Sequence, residues 1–337
     1  MKNDISINNE TSMHSKNVKK GIDVNKFMIE QVANNRLFSL SLILVVLVVV
    51  SCILWPRTFM SWANASAVLN NLSFDAIVAV GMMLLLISGM FDLSVGSVLG
   101  VTAGFTSLML LNGMPVIVTI ILALCVAMAF GLVNGLIISK IGVNPMITTL
   151  AMMGIARGVM LLMTADTFTL PDEFLIIARI RILGLQMPFW IMLVVVIVFS
   201  ILVSKLAFFK RYYYIGGNEK AARLSGIPVD KMKILSFIIS AVLAGFSGIL
   251  LTARMGGSMV TFGQGMELRV ITAAILGGAS LKGGEGVIPG AFLGTVFMAL
   301  VNNIMIIANV SVYWQQIVIG IILLIAVSVD VMLKKRT

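Results

Sequence analysis

Ten apolar runs alternate with short polar connections along the chain. They lie at about Leu37–Leu54, Phe74–Met90, Ser94–Leu111, Val116–Ile138, Met146–Thr164, Met187–Ser204, Ile234–Ala253, Leu268–Leu281, Val287–Ala308 and Val312–Leu333. Most come near the ~20 residues a helix needs to cross a hydrocarbon layer of ~30 Å. In lipid each backbone donor and acceptor must be satisfied within the protein, which leaves helices or closed barrels. The pattern predicts an all-α polytopic membrane protein with about ten transmembrane helices. Leu268–Leu281 is short, and the runs on either side of Asp92 are poorly separated. These two places leave roughly eight to eleven spans open.

The polar flanks orient this arrangement. Residues 1–36 carry Lys2, Lys16, Lys19, Lys20, Lys26 and Arg36, and the chain closes on Lys334, Lys335 and Arg336. Lys205–Lys233 holds seven of the 24 basic residues, opposed by Glu219 and Asp230. Basic loops stay on the cytoplasmic side, and an even span count puts all three segments there. The expected layout is a cytoplasmic tail (1–36), a transmembrane domain (37–333) with a cytoplasmic loop at 205–233, and a cytoplasmic C-terminus (334–337). Ala165–Gln186, with Asp166, Asp172 and Glu173, falls outside. Ala63-Asn64-Ala65-Ser66-Ala67 could pass for a cleavage site. The leader before the first apolar run is too long for an ordinary signal peptide, so an uncleaved span is expected.

Composition narrows the chemistry. Only 11% of the 337 residues are charged, against roughly 25% in soluble domains. The net charge of +10 sits at span ends, where it orients the chain rather than binding nucleic acid. Cys52 and Cys125 both lie in apolar runs and read as packing residues. His14 is the sole histidine and lies in a polar tail, which argues against a zinc cluster or a His-based triad. The chain has no phosphate-loop motif, so any ATP used must be bound by another chain. No cofactor and no catalytic residue is expected.

Four constellations stand out. In the basic loop, Asn218 is placed to cap one or two helical turns, Glu219 suits the first turn, and Gly226 with Pro228 ends it. Exposed Ala221 and Ala222 would let this short helix sit in a groove of another protein; a solvated loop that only fixes topology is the other reading. Gly89 through Ser97 breaks an apolar region with Asp92, which belongs at an interface, in a cavity or on a capped half-helix. There it is expected to accept from the amides of Val95 or Gly96. Arg157, after Asn144-Pro145, needs a carboxylate, carbonyls or water.

Glu267 and Arg269 sit two apart and cannot pair on one helix, so each needs a partner elsewhere. Beyond them Gly277, Gly278, Gly283, Gly284 and Gly286 predict a tight turn or re-entrant segment. Asn302-Asn303 and Tyr313-Trp314-Gln315-Gln316 place amides and rings in apolar spans, as interhelical glue or as solute contacts. Leu132-Val133-Asn134 in the fourth run and Leu300-Val301-Asn302 in the ninth lie on oppositely directed spans. This is compatible with two inverted five-helix repeats.

The loop Ile215-Gly216-Gly217-Asn218-Glu219 through Ser225-Gly226-Ile227 resembles the coupling loop of the ribose-type monosaccharide permeases of ABC importers. Asp92-Leu93-Ser94-Val95-Gly96 is similar to a signature of the same family, which usually has Gly-Gly-Ile before the Asp where this chain has Gly89-Met90-Phe91. The Gly277–Gly286 segment and the Tyr313–Gln316 string are similar as well. The resemblance runs from about Asn70 to Asp330. It implies a multi-pass permease of the bacterial cytoplasmic (inner) membrane that translocates a monosaccharide or related small sugar. An ABC ATPase subunit would dock on Gly217, Asn218, Glu219, Ala221, Ala222 and Gly226. A periplasmic or lipoprotein sugar-binding protein would deliver solute, and a second permease copy or a paralogue would complete the pathway. Asp92, Asn134, Asn302 and Gln315 are the polar residues expected near the route. An autonomous ion-coupled carrier or channel, using Asp75, Asp92 or Glu267, remains the alternative.

Overall fold

A computed structural model describes residues 36–163 and 170–334. Residues 1–35 of the expected N-terminal tail, Asp166 and the closing Lys335-Arg336 lie outside the described residues. The helices are α1 (Arg36–Leu54), α2 (Pro56–Phe59), α3 (Trp62–Ile87), α4 (Val95–Leu111), α5 (Val116–Leu136, extended by a π-turn at Ile137–Ile141), α6 (Pro145–Met163) and α7 (Asp172–Arg179). A two-stranded hairpin follows, β1 (Arg181–Ile182) and β2 (Leu185–Gln186), turning through Leu183 and Gly184 at positive φ. Then come α8 (Met187–Lys205), α9 (Ala207–Gly217), α10 (Glu219–Leu224), α11 (Val229–Met255), α12 (Met266–Leu276), α13 (Ile288–Ile307) and α14 (Val312–Lys334).

Among the described residues eight helices are long and apolar enough to cross a membrane: α1, α3, α5, α6, α8, α11, α13 and α14. Two shorter helices lie among them, α4 and α12. The 17-residue α4 is preceded by the non-helical stretch 88–94. The 11-residue α12 rises only about 16 Å, and the glycine turn follows it. The short run Leu268–Leu281, expected as a span, is a helix that ends at Leu276 plus a turn, because Gly277 and Gly278 end the helix early.

Burial separates a centre from a rim. In α3, 89% of the apolar window is buried, and in α11 61%; the other spanning helices range from 11 to 33%. A helix apolar on all sides belongs in a protein interior, and Ile77–Ile87 on α3 fits that rule. Lipid is as apolar as leucine, so helix pairs are held by close packing and small residues. A Cβ on Gly81 of α3 would sit 2.8 Å from Ser240 Cα of α11, which is where these two central helices cross.

The pairings match two by two. Taking the crossings in order, α5 packs on α11 as α13 packs on α3, α4 on α6 as α12 on α14, α4 on α5 as α12 on α13, and α4 on α11 as α12 on α3. These are the relations that inverted five-helix repeats require. Helices α1 and α8 break the match, with α1 on α13 and α8 on α3.

Candidate functional site

The basic loop folds as α9, α10 and the start of α11. Asn218 has extended backbone between α9 and α10, and its side chain accepts the Ala221 N–H at 3.0 Å, a helix N-cap. Gly226 (φ +79) closes α10, with Ile227 N–H donating back to Ala222 O at 3.1 Å, as a left-handed C-cap does. Charged residues then fix the roll of this short helix. Glu219 accepts from Lys233 Nζ at 2.7 Å and from Arg223 at 3.2 Å. Arg223 also donates to Asp230, which Lys140 holds at 3.3 Å. Partial burial pushes the Glu219 carboxyl up, but Lys233 and Arg223 outweigh it and hold it below its ordinary 4.5.

This roll corrects one expectation. Ala221 is exposed, but Ala222 is buried at 3% exposure, because the Glu219–Lys233 and Arg223–Asp230 pairs turn its methyl toward α11. The outward apolar group is Leu224, 91% exposed.

Two residues upstream of the cap lies a junction of bare backbones. A Cβ on Gly216 would sit 2.0 Å from Ile87 O and 2.4 Å from Gly284 N. One on Gly283 would sit 2.8 Å from both Gly216 Cα and Gly89 Cα. Gly284 N–H donates to Ile87 O at 2.8 Å, and Tyr213 Oη donates to Gly286 O at 2.7 Å. The end of α3, the end of α9 and the turn between α12 and α13 thus touch at one point. Gly277 presses on Gly290 of α13 in the same way, a Cβ there lying 2.1 Å from Gly290 O, and Gly278 takes φ +98.

The two broken spans meet where their helices begin. A Cβ on Gly96 would lie 2.2 Å from Gly263 O, so the start of α4 abuts the segment leading into α12. Beside it Asp92 accepts the Ser94 N–H at 2.7 Å and the Ser94 hydroxyl at 2.6 Å, and Asn134 Nδ2 donates to Ser94 Oγ at 3.0 Å. Asp92 closes a local turn on the residue two ahead, so its amide donor is Ser94 rather than Val95 or Gly96. Arg157 chooses carbonyls: it donates to Val260 O at 3.2 Å and Phe262 O at 3.0 Å, tying α6 to the segment before α12.

At the end of the bundle opposite the basic loop is a cavity of about 580 Å³ between α3, α11, α12, α13 and α14. Its wall carries Asp75 of α3 and Arg269 of α12, paired through Nε–Oδ2 at 2.9 Å and Nη2–Oδ1 at 3.3 Å. Arg269 Nη1 also donates to Gln264 O at 3.2 Å. Arg254 donates to Asn71 Oδ1 at 2.8 Å and lies over the Phe74 ring, 5.5 Å from its centroid. Asn303 and Asn64 exchange amide hydrogen bonds of 2.7 and 3.2 Å, pinning α13 to α3 above the cavity.

Residues 64–327 match the family described as branched-chain amino acid transport system / permease component. The chain belongs to this family. Named relatives cover most of this permease's length. The L-arabinose transport system permease protein of Escherichia coli (strain K12) is 36% identical over 291 residues, 83% of this chain and 86% of that one. The ribose import permease proteins of Bacillus subtilis (strain 168) and Haemophilus influenzae are 34% and 32% identical, covering 85% and 94% of this chain and 90% and 97% of theirs. No solved structure matches the permease.

Within this permease the expected polar set separates into two places. Asn302 and Gln315 line the cavity. Asp92 and Asn134 are together, but fully buried around Ser94 and away from the cavity wall. Asn71 and Gln264, which also line the cavity, carry no sequence signal beyond an amide near an apolar run. Asp75 and Arg269 do carry one: each is a charge in such a run, and Arg269 lacked a partner on its own helix.

Proposed function

We propose that this permease is the membrane-spanning subunit of an ABC importer that moves a monosaccharide or related small sugar across the bacterial cytoplasmic membrane. The observation that carries the reading is the capped helix α10, with Leu224 exposed, in a chain whose relatives over most of its length are named for ribose import and L-arabinose transport. ATP is hydrolysed on a separate ABC subunit, for which α10 and the adjoining Gly217–Asn218 are the docking element. A periplasmic or lipoprotein binding protein delivers the sugar to the opposite face, and a second permease copy or a paralogue completes the pathway. The permease makes and breaks no covalent bond. ATP-driven closure of the partner moves α10, and the glycine junction carries that movement to the end of α3 and to the turn between α12 and α13. The spans then re-pack between two states, each biased by the partner. Of the three carboxylates that a carrier working alone could use, Asp75 is paired with Arg269 and Asp92 accepts from Ser94 through Oδ1, which leaves Glu267 as that reading's candidate.

The test is isolation of the permease from its own membrane in mild detergent, as wild type and as Leu224→Glu. The wild type is expected to bring down an ATP-hydrolysing subunit and the variant to lose it while inserting normally. Sugar uptake into liposomes by the lone chain without ATP would overturn the reading.

A further inference from the structure

We propose that the outer cavity is the site that holds the solute in transit, and that Asp75 and Arg269 select an uncharged, polyhydroxylated molecule there. The inference rests on the permease reading above and adds to it the site and the discriminating chemistry.

The charges are the first argument. Asp75 and Arg269 are the only ionisable side chains on the cavity wall among the described residues, and they are bonded to each other. The lining side chains themselves therefore carry no net charge; Arg254 stands behind them, held on Asn71 and Phe74. A zwitterionic amino acid would need a cation for its carboxylate and an anion for its ammonium. Taking both from this wall would split the Asp75–Arg269 pair and leave two partly buried charges to be re-satisfied. A hydroxyl makes no such demand. A guanidinium has five N–H donors; Arg269 uses Nε, one hydrogen of Nη2 and one of Nη1 on Asp75 and Gln264. Two N–H groups remain, as do the second lone pairs of the Asp75 carboxylate, and both side chains are about a quarter exposed.

The rest of the wall is consistent. Asn71, Asn302 and Gln315 supply carboxamides, each both donor and acceptor. Phe74 adds an apolar edge to the wall, its ring being buried beneath Arg254. The cavity volume of about 580 Å³ lies inside the ~300–1,000 Å³ range of small-molecule sites. A smaller hollow of about 60 Å³ adjoins it and shares Asp75, Arg269 and Asn302, so the ion pair stands between two spaces.

The experiment uses the complete transporter in proteoliposomes, in a Cys52→Ala/Cys125→Ala background carrying Val312→Cys at the cavity wall. The readout is the rate of labelling by a membrane-impermeant maleimide with D-ribose, L-arabinose or L-leucine present. A transported sugar at a tenfold excess over its Kd is expected to slow labelling about tenfold by mass action, and L-leucine to leave it unchanged. Asp75→Asn and Arg269→Gln should each abolish the protection, and the double variant, neutral again, should regain part of it. Leu268→Cys serves as a second reporter if Val312→Cys fails to assemble. ATP-dependent sugar uptake without protection overturns the cavity assignment alone, and protection by L-leucine overturns the selection rule. ATP-dependent uptake of L-leucine with no uptake of either sugar would instead remove the functional reading beneath it.

Discussion

Gly96 and Gly263 meet backbone to backbone, closer than any side chain permits: a Cβ on Gly263 would lie 1.9 Å from Gly96 O. This contact holds together the starts of two spans that are each too short to cross alone. Gly96→Ala should therefore cost about 1–3 kcal/mol through overpacking. Gly263→Ala should cost more, since φ +71 adds about 1–2 kcal/mol for a left-handed residue with a Cβ. Thermal unfolding in detergent measures both. Gly320→Ala on α14, where a Cβ meets nothing, is the control, and should be stabilising by about 0.5–1 kcal/mol.

Neighbouring alanines on α10 should behave in opposite ways. Ala221→Arg projects from an exposed face, so folding stability should stay within about 0.5 kcal/mol while ATP-driven uptake is lost. Ala222→Arg must push a long side chain into a buried site and should lower stability by about 1–3 kcal/mol before any partner is considered. Unfolding curves and uptake on the same two variants separate the effects. Equal stability loss in both would contradict the roll of the helix.

The hold on α10 should weaken in acid. The Glu219 pKa is depressed in the folded chain, so its contribution is fully present above the unfolded value. It is lost as pH falls from 4.5 through the lower folded value. Amide hydrogen exchange across 219–226, corrected for intrinsic rates, should accelerate over that window. In Glu219→Gln the acceleration should be present already at neutral pH.

Arg157 serves two carbonyls at once from a single nitrogen, Nη1. Arg157→Lys offers a single point charge instead, and Arg157→Ala leaves both carbonyls to find other donors, at about 1–3 kcal/mol for each that stays buried. The loosening should be local, appearing as faster proteolysis of segment 256–265 with the rest of the chain still protected. Global unfolding at the same temperature would show that Arg157 matters elsewhere.

Much of this was readable from residue order, and the exceptions share a cause. The α10 boundaries follow from Asn218, Gly226 and Pro228, because caps and breakers act on their own backbone. The apolar runs likewise mark the spans, since lipid imposes the same demand on every turn. Which side of α10 faces inward was not readable: a six-residue helix is too short for a periodicity, and Lys233 and Asp230, which set its roll, come from the next helix. Arg269 visibly lacked a partner, but Asp75 lies 194 positions away, and no local pattern links them. The Gly277–Gly286 run declared a tight turn, yet its contact with Gly216 and Ile87 is a product of the whole fold. The aromatic, basic stretch of α9 hid a helix, its apolar positions being masked by Lys210, Arg211 and the tyrosines.

The glycine junction also constrains history. Ile87, Gly89, Gly216, Gly283 and Gly284 touch through main-chain atoms, so a first methyl at Gly216 or Gly283 displaces a backbone that belongs to another stretch of the gene. No single nucleotide change offers a gentle intermediate there. On the proposed assignment, descendants of this sequence can revise the outer cavity residue by residue and so acquire new solutes, while the joint is inherited whole or lost.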